Sequence, residues 1–291
     1  MNAGFHLGVP AAQYHSDPAP QPSLSNSVAQ ILLRESPRKA WFSHPRLNSD
    51  YREEHESKFD LGTCAHAVLL ENDASRIVIV DADDWRTKAA KEQRDAARAT
   101  GKTALLARHY DDVRRMADAA LAFLAHSEIS EYWFDADSEV TGICQDGDVW
   151  LRCRFDKMTK NRNVIPDYKS TTDVSPEGFG RQITRMGYHI QDAFYRRCAS
   201  ILGAKRPEFV FVAQAVEPPY ECSLHGCDPA LRDIADAEVE RAIRLWGECL
   251  KKKEWPSYSG RIHWAMPPTY LMAQHEERLL AGDTVAYRES A

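Results

Sequence analysis

Residues 133–171 read WFDADSEVTGICQDGDVWLRCRFDKMTKNRNVIPDYKST, and their pattern decides the fold. Two strand-like runs flank Asp146-Gly147, a dipeptide suited to a tight hairpin turn. A polar turn at 159–163 follows, and VIPDYKST (164–171) reads as a third strand. Along a strand, residues two apart share a face. Asp167 and Lys169 therefore project together from the third strand, while Asp156 lies near the end of the second. Antiparallel pairing across the short turn would set Asp156 beside Asp167. The expected unit is a three-strand meander with two acids and a lysine on one face. Hard carboxylate oxygens suit Mg²⁺ or Mn²⁺, which keep water and substrate phosphate in their shells. A lysine beside such an ion can orient water and stabilise charge developing on a phosphate. A bare Asp-x-Lys is short and common, and its ordinary reading is a solvated surface pair. Here apolar Val164 and Ile165, with Pro166, precede the pair, which then faces a further acid.

Upstream of the meander the chain reads as helical. Residues 1–22, rich in Pro, Ala, Ser and Gln, are expected as a flexible N-terminal arm, with residues 23–291 as a single domain. Ser23 or Ser25 can cap a helix through Val28, Ile31, Leu32 and Leu33, and Ser36-Pro37 opens another. Residues 60–71 (DLGTCAHAVLLE) place His66 on a helix. Residues 85–99 and 106–126 read as longer helices, with Leu105, Val113, Met116, Ala120, Leu121 and Leu124 giving the second an apolar face. Downstream, 175–186 and 188–202 look helical and EFVFVAQAV (208–216) is a buried strand to which YECSLHG can pair. Residues 228–252 form an amphipathic helix, closed by Lys251, Lys252 and Lys253 near its negative end, and a last helix covers about 268–280. This order implies an α/β fold: a mixed central sheet flanked by helices, with a helical N-terminal elaboration.

Composition narrows the functional classes. Seven scattered cysteines without a CxxC argue for free thiols and against zinc or an iron–sulfur cluster. No apolar run approaches membrane-spanning length, the N-terminus lacks a secretory pattern, and a cytoplasmic location is the default expectation. The net charge of −6 opposes a nucleic-acid partner globally. A local basic groove can coexist with an acidic exterior. Arg152, Arg154, Lys157, Lys160 and Arg162 around the hairpin, with Arg181 and Arg185 on the next helix, are the candidates for it.

Four motifs in order carry a family resemblance. Gly62–Glu71 is similar to a GxxxH helix, Phe155-Asp156 to the first acid of a nuclease centre, Asp167-Tyr168-Lys169 to a (D/E)XK element, and Gly187–Tyr195 to a QxxxY motif. Pro166-Asp167 is a decoy for the "PD". Together they resemble the PD-(D/E)XK nuclease superfamily, in its RecB-like branch. The nearest likeness is to the RecE (exonuclease VIII) type and its phage-encoded relatives, over roughly residues 23–225. The phrase SLSNSVAQILLRESPRKAWFSHPRLN (23–48) adds to it.

The resemblance implies a restriction-endonuclease-like fold and a metal site. His66, Asp156, Asp167 and the Tyr168 carbonyl would be its ligands, and Mg²⁺ its ion, with Mn²⁺ able to substitute. Lys169 would be catalytic beside the two acids. Gln191 and Tyr195, on one helix face, would hold a DNA phosphate or brace the lysine. Glu139, at the start of the first hairpin strand, could add a carboxylate near the site, and reads equally well as an exposed strand glutamate. By resemblance the substrate is a double-stranded DNA end degraded 5′→3′. A ring-like homo-oligomer and a single-strand annealing partner in homologous recombination are also implied. No GxxxxGK[ST] is present, so no helicase segment is expected. A RecB-like nuclease of other polarity, a structure-specific endonuclease and a non-catalytic DNA-end-binding subunit are the alternatives. The missing cysteine cluster disfavours the cluster-bearing nucleases, and the complete Asp156, Asp167 and Lys169 set disfavours the binding relic.

Overall fold

A computed structural model describes residues 1–51, 61–71, 77–100 and 102–282. The chain enters on β1 (Gly4–His6), α1 (Ala11–His15), β2 (Leu24–Ser25), α2 (Asn26–Arg34) and α3 (Pro37–Phe42). Next come α4 (Leu61–Glu71), β3 (Ile77–Val80), α5 (Lys88–Ala99), β4 (Thr103–Leu106), α6 (Ala107–Ala125) and α7 (Ser130–Phe134). The hairpin strands are β5 (Ala136–Asp146) and β6 (Val149–Thr159), followed by β7 (Val164–Thr171), α8 (Pro176–Met186) and α9 (Tyr188–Ile201). β8 (Glu208–Ala215), β9 (Cys222–His225), α10 (Pro229–Lys252) and α11 (Thr269–Leu280) complete the order.

The central strands form a mixed α/β architecture of the restriction-endonuclease-like kind, flanked by helices. One ladder set runs β1-β5-β6-β2 and another β7-β8-β9, with β3-β4 apart. The hairpin forms, with its turn at Gly147–Asp148, one residue past the expected Asp146-Gly147, and Gly147 takes the left-handed φ of 57° that a tight turn needs. β9 pairs antiparallel with β8. The meander does not form. Thr159 ties the turn after β6, its hydroxyl accepting from Val164 N at 3.0 Å and bonding Asn161 Oδ1 at 2.8 Å. The β7 backbone then pairs in parallel with β8, Asp167 opposite Phe211 and Lys169 opposite Ala213. A parallel strand covered on both faces needs apolar residues on each. Ile165 enters one cluster, with Phe155, Phe194, Phe209 and Phe211. Tyr168 enters the other, with Ala65, Met116, Ala120 and Trp133.

The arm expected at residues 1–22 is instead part of the main body. β1 pairs antiparallel with β5. The cause lies in the alternation of β6. Leu151, Cys153 and Phe155 enter the core, so Arg152, Arg154 and Asp156 share the opposite face. The N-terminal segment covers that polar face. Tyr14 lies 5.7 Å from Arg152 and 5.9 Å from Arg154. Val9 O accepts from Arg154 Nη1 at 2.8 Å, and buried Asp17 faces Arg152 Nη1 at 3.3 Å. Ser25 caps α2 and Ser36 caps α3, while Ser23 bonds Asp17.

Leu105, assigned by period to a helix, lies in β4, paired with Ile79 of β3. α10 packs on α9 and α2 and supplies buried Trp246 to the main core, so it belongs to the main body. The expected single domain divides: Met1–Ser257 is one compact unit and Tyr258–Ala291 another. In the second unit α11 buries no residue, and Trp264 and Met266 are exposed. Among the described residues no helix is long and apolar enough to cross a membrane.

Candidate active site

Asp167 is fully buried, and both its oxygens are engaged. Gln191 Nε2 donates to Oδ1 at 2.7 Å, and Lys169 Nζ is ion-paired with Oδ2. The strand period brings Asp167 and Lys169 together, as read from the sequence. Gln191 reaches them from α9, and it braces the acid, not the lysine. Tyr195, four residues on, is a core side chain, with its ring 5.2 Å from Phe155 and 5.9 Å from Phe209.

Asp156 approaches from β6 without ladder pairing. Its Oδ2 accepts the Tyr168 backbone N–H at 2.9 Å, so one hydrogen bond joins the two strands at the acids. Tyr168 is fixed from its other end, donating its hydroxyl to Gln214 Oε1 at 2.6 Å. Gln214, fully buried, in turn donates to Met116 O at 2.8 Å and Tyr220 O at 3.2 Å. This network docks α6 on β7, the strand that carries Asp167 and Lys169. An isolated glutamine in an apolar strand gives no such signal in the sequence.

His66 comes from α4, which packs Ala65, Leu69 and Leu70 against α6. Its Nε2 stands 3.2 Å from Asp156 Oδ2, and its Nδ1 3.9 Å from Glu139 Oε1. Glu139 is therefore at the site. It has the left-handed φ of 54°, which costs a non-glycine residue about 1–3 kcal/mol. Ser138 pairs with Lys157 and Val140 with Phe155, so Glu139 stands opposite Asp156, where no pairing forms. Opposed residues of an antiparallel pair share a face, and two opposed acids repel. Arg154 relieves this by ion-pairing with Glu139.

The electrostatics follow from that crowding. Burial pushes the Asp156 carboxyl up, but His66, Lys169 and the Tyr168 N–H outweigh it and hold it low. Asp167 goes the other way. Burial and the charge of Asp156 push it up to about 7, only partly offset by Lys169 and His66. Burial lowers His66, yet Asp156 and Glu139 outweigh it and raise its pKa. Burial and the charge of Asp156 raise Glu139.

The donor set fits a divalent cation. His66, Glu139 and Asp156 each offer one ligand atom, all within 4.8 Å of one another. Ligands about 2.1 Å from one ion stand no more than about 4.2 Å apart, so small shifts would close the site. Asp167 lies next to this group and would join it by releasing a contact to Gln191 or Lys169. The pH dependence has a definite sign. His66 and Asp167 both hold protons to higher pH than usual, and a cation must displace those protons. Mn²⁺ affinity measured by calorimetry should therefore rise between about pH 6 and pH 8, with proton release. A flat affinity over that range would refute the assignment of these ligands.

The expected DNA-contacting cations are mostly committed within the protein. Arg152 is buried with Asp17 and Ser23, which removes it from any DNA surface. Arg154 serves Glu139, Lys160 pairs with Asp135, Arg162 with Asp137 and Arg181 with Glu177. Lys157 lies over the Trp133 ring at 5.3 Å. The Lys160 and Arg181 pairs are exposed, so those two cations stay open to a ligand.

A family model described as a PDDEXK-like domain of unknown function (DUF3799) matches residues 34–266. No protein of curated function matches in sequence. Among solved structures, a candidate exonuclease from Eubacterium rectale is similar at 9% identity, covering 92% of this chain and 98% of that one, with a TM-score of 0.55. An alkaline exonuclease from Laribacter hongkongensis is 15% identical, covering 65% of this chain and 91% of that one, with a TM-score of 0.28. A phage-related exonuclease from Haemophilus somnus is 12% identical over 66% and 95%, with a TM-score of 0.30. The last two likenesses are too distant to bear on the fold, and the first bears on the fold alone. The family match spans most of the chain and includes every residue of the site: the chain belongs to the PDDEXK-like DUF3799 family.

Proposed function

We propose that the chain is a divalent-metal-dependent exodeoxyribonuclease. It degrades one strand of a DNA duplex from an end, in the 5′→3′ direction, and leaves a 3′ single-stranded tail. The observation that carries the reading is the convergence of His66, Glu139 and Asp156 on one point, with Asp167 and Lys169 beside it. A PDDEXK-like site of this composition has the parts that phosphodiester hydrolysis needs. Mg²⁺ is the proposed ion, with Mn²⁺ as substitute. When bound, the ion supplies Lewis acidity, neutralising charge on the phosphate and making water more acidic.

The chain's own residues do the remainder. His66, Glu139 and Asp156 would hold the cation, and Asp167 would complete the carboxylate set. Gln191 fixes the Asp167 rotamer, and Tyr168 N–H fixes Asp156. The Lys169 ammonium sits where it can donate to the attacking water or a phosphate oxygen. Water adds to phosphorus, the phosphorus–oxygen bond to the leaving nucleotide breaks, the leaving oxygen takes up a proton from solvent, and the proton lost by the attacking water passes to solvent. A single-strand annealing protein and a ring-like assembly are the proposed partners, in homologous recombination.

Linear duplex labelled at either the 5′ or the 3′ end, incubated with and without Mg²⁺, tests the reading. Early loss of the 5′ label as mononucleotide, only with metal, is the expected result. Internal cuts on closed circular DNA would favour an endonuclease, and early loss of the 3′ label the opposite polarity. Binding without hydrolysis at any metal concentration would leave a DNA-end-binding subunit. In the same assay His66→Ala should raise the Mg²⁺ requirement by about tenfold or more.

A further inference from the structure

Lys169 is held on two sides, and only one of them is the acid. Its Nζ is ion-paired with Asp167 and also lies 5.2 Å from the ring centroid of Tyr188, over the ring face. An ammonium over an aromatic face is attracted by the ring quadrupole, more strongly when water is excluded. The Lys169 side chain is 18% exposed, so exclusion is substantial.

The ring is anchored independently of the lysine. Its centroid is 6.1 Å from that of Phe179 on α8 and 5.9 Å from that of Phe211 on β8. Tyr188 also follows the corner between α8 and α9. Gly187 closes α8 and opens α9 with a φ of 74°. The left-handed φ restricts that corner to glycine, while the nearest atoms to it are the movable tips of the Gln30 and Arg34 side chains of α2. Arg34 donates to Thr184 O at 3.3 Å and Arg185 O at 3.2 Å, so α2 is bonded to the end of α8 at that corner. The ring position is thus set by core packing and by a tight corner.

We infer that Tyr188 is the positioning residue for Lys169, its ring face holding the ammonium beside Asp167. This role rests on the nuclease reading for its kinetic consequence, but the contact itself does not. It also separates the duties on α9: Gln191 braces the acid, Tyr188 the lysine, and Tyr195 the core.

The test uses the full chain with Tyr188→Phe, Tyr188→Leu and Tyr188→Met. Lysines are labelled by reductive ¹³C-methylation, and the Lys169 resonance is identified by its loss in Lys169→Arg. In the parent that resonance should be displaced by the ring. It should stay displaced in Tyr188→Phe and move to the bulk lysine position in Tyr188→Leu and Tyr188→Met. On linear duplex with Mg²⁺, the Leu and Met variants should lose about tenfold in kcat with KM close to the parent, and their thermal midpoint should fall because the ring packs on Phe179 and Phe211. Tyr188→Phe should keep kcat within about twofold. An unmoved resonance in the Leu and Met variants overturns the inference. So does a Phe variant as impaired as the Leu variant, which would assign the role to the hydroxyl. If the parent chain hydrolyses no duplex, the nuclease reading fails and the resonance alone decides.

Discussion

Lys169→Met and Asp167→Asn should each lose at least about 10²–10³-fold of duplex hydrolysis while remaining folded, the range seen when one stabilising group is removed from a transition state. The substitutions are chosen for shape. Methionine keeps a long unbranched side chain in the place of the lysine without its charge. Asparagine keeps Oδ1 as the acceptor for Gln191 Nε2. Truncating either residue to alanine would leave its partner buried and unpaired, so lost activity would be confounded with lost stability. The two variants differ in one further respect. Asp167→Asn removes a group that burial and Asp156 push up to about 7, so it relieves a repulsion at high pH. Its thermal midpoint above pH 8 should equal or exceed that of the parent. Lys169→Met leaves Asp167 facing Asp156 without its cation, and its midpoint should fall as pH rises. Release of acid-soluble nucleotides and thermal melts at two pH values measure both effects. Two folded variants with activity within twofold of the parent would remove Asp167 and Lys169 from the chemistry.

How far the site was legible depends on how local its determinants are. Asp167 and Lys169 were legible because a two-residue period and an apolar run before them are sequence properties. Asp156 was legible as a participant but not in its geometry. Contact with β7 runs through Tyr168 N–H, because β8, forty residues downstream, claims the β7 ladder. Glu139 was not reached by counting: a turn centred on Asp146-Gly147 would set Asp137 opposite Asp156, and only the observed turn at Gly147–Asp148, one residue later, brings Glu139 there. What the letters did not show is the left-handed backbone at Glu139 and the Arg154 that makes two adjacent acids tolerable. β3 and β4 were missed because four-residue strands carry too little periodicity. Leu105 fits the 3.6-residue repeat of α6 equally well, and only pairing with Ile79 across α5 decides its state. Arg152 was misread because charge near an active-site hairpin looks like a ligand contact until its partner is known. That partner, Asp17, lies in the segment that composition marked as loose.

Asp17→Ala should destabilise the protein by about 3–5 kcal/mol, because it leaves a buried guanidinium without its counter-charge. Asp17 is fully enclosed and accepts from Ser23 N at 2.9 Å and from the Ser23 hydroxyl. It also faces His44 Nε2 at 3.4 Å and Arg46 Nη1 at 3.7 Å. Arg152, 4% exposed, has its other contacts to Ser23, which the same carboxylate orients. The thermal midpoint should fall by roughly 5–15 °C at neutral pH. Burial alone would push the Asp17 carboxyl up, but His44, Arg152 and Ser23 together hold it low. A depressed carboxyl stabilises the fold above its unfolded pKa of about 4, and that contribution disappears as pH falls through the lower folded value. The gap between parent and Asp17→Ala should therefore be full at pH 7 and narrow below about pH 4. Deleting residues 1–22 should reproduce the loss and add a functional one. Val9 O and Tyr14 hold the guanidinium of Arg154, and Arg154 in turn holds Glu139 at the metal site. The truncated chain should bind Mn²⁺ more weakly than Asp17→Ala does, since only the truncation removes both supports of Arg154. A truncated protein with parental melting and parental Mn²⁺ affinity would return residues 1–22 to the loose arm their composition suggests, and would cut the link between the N-terminus and the site.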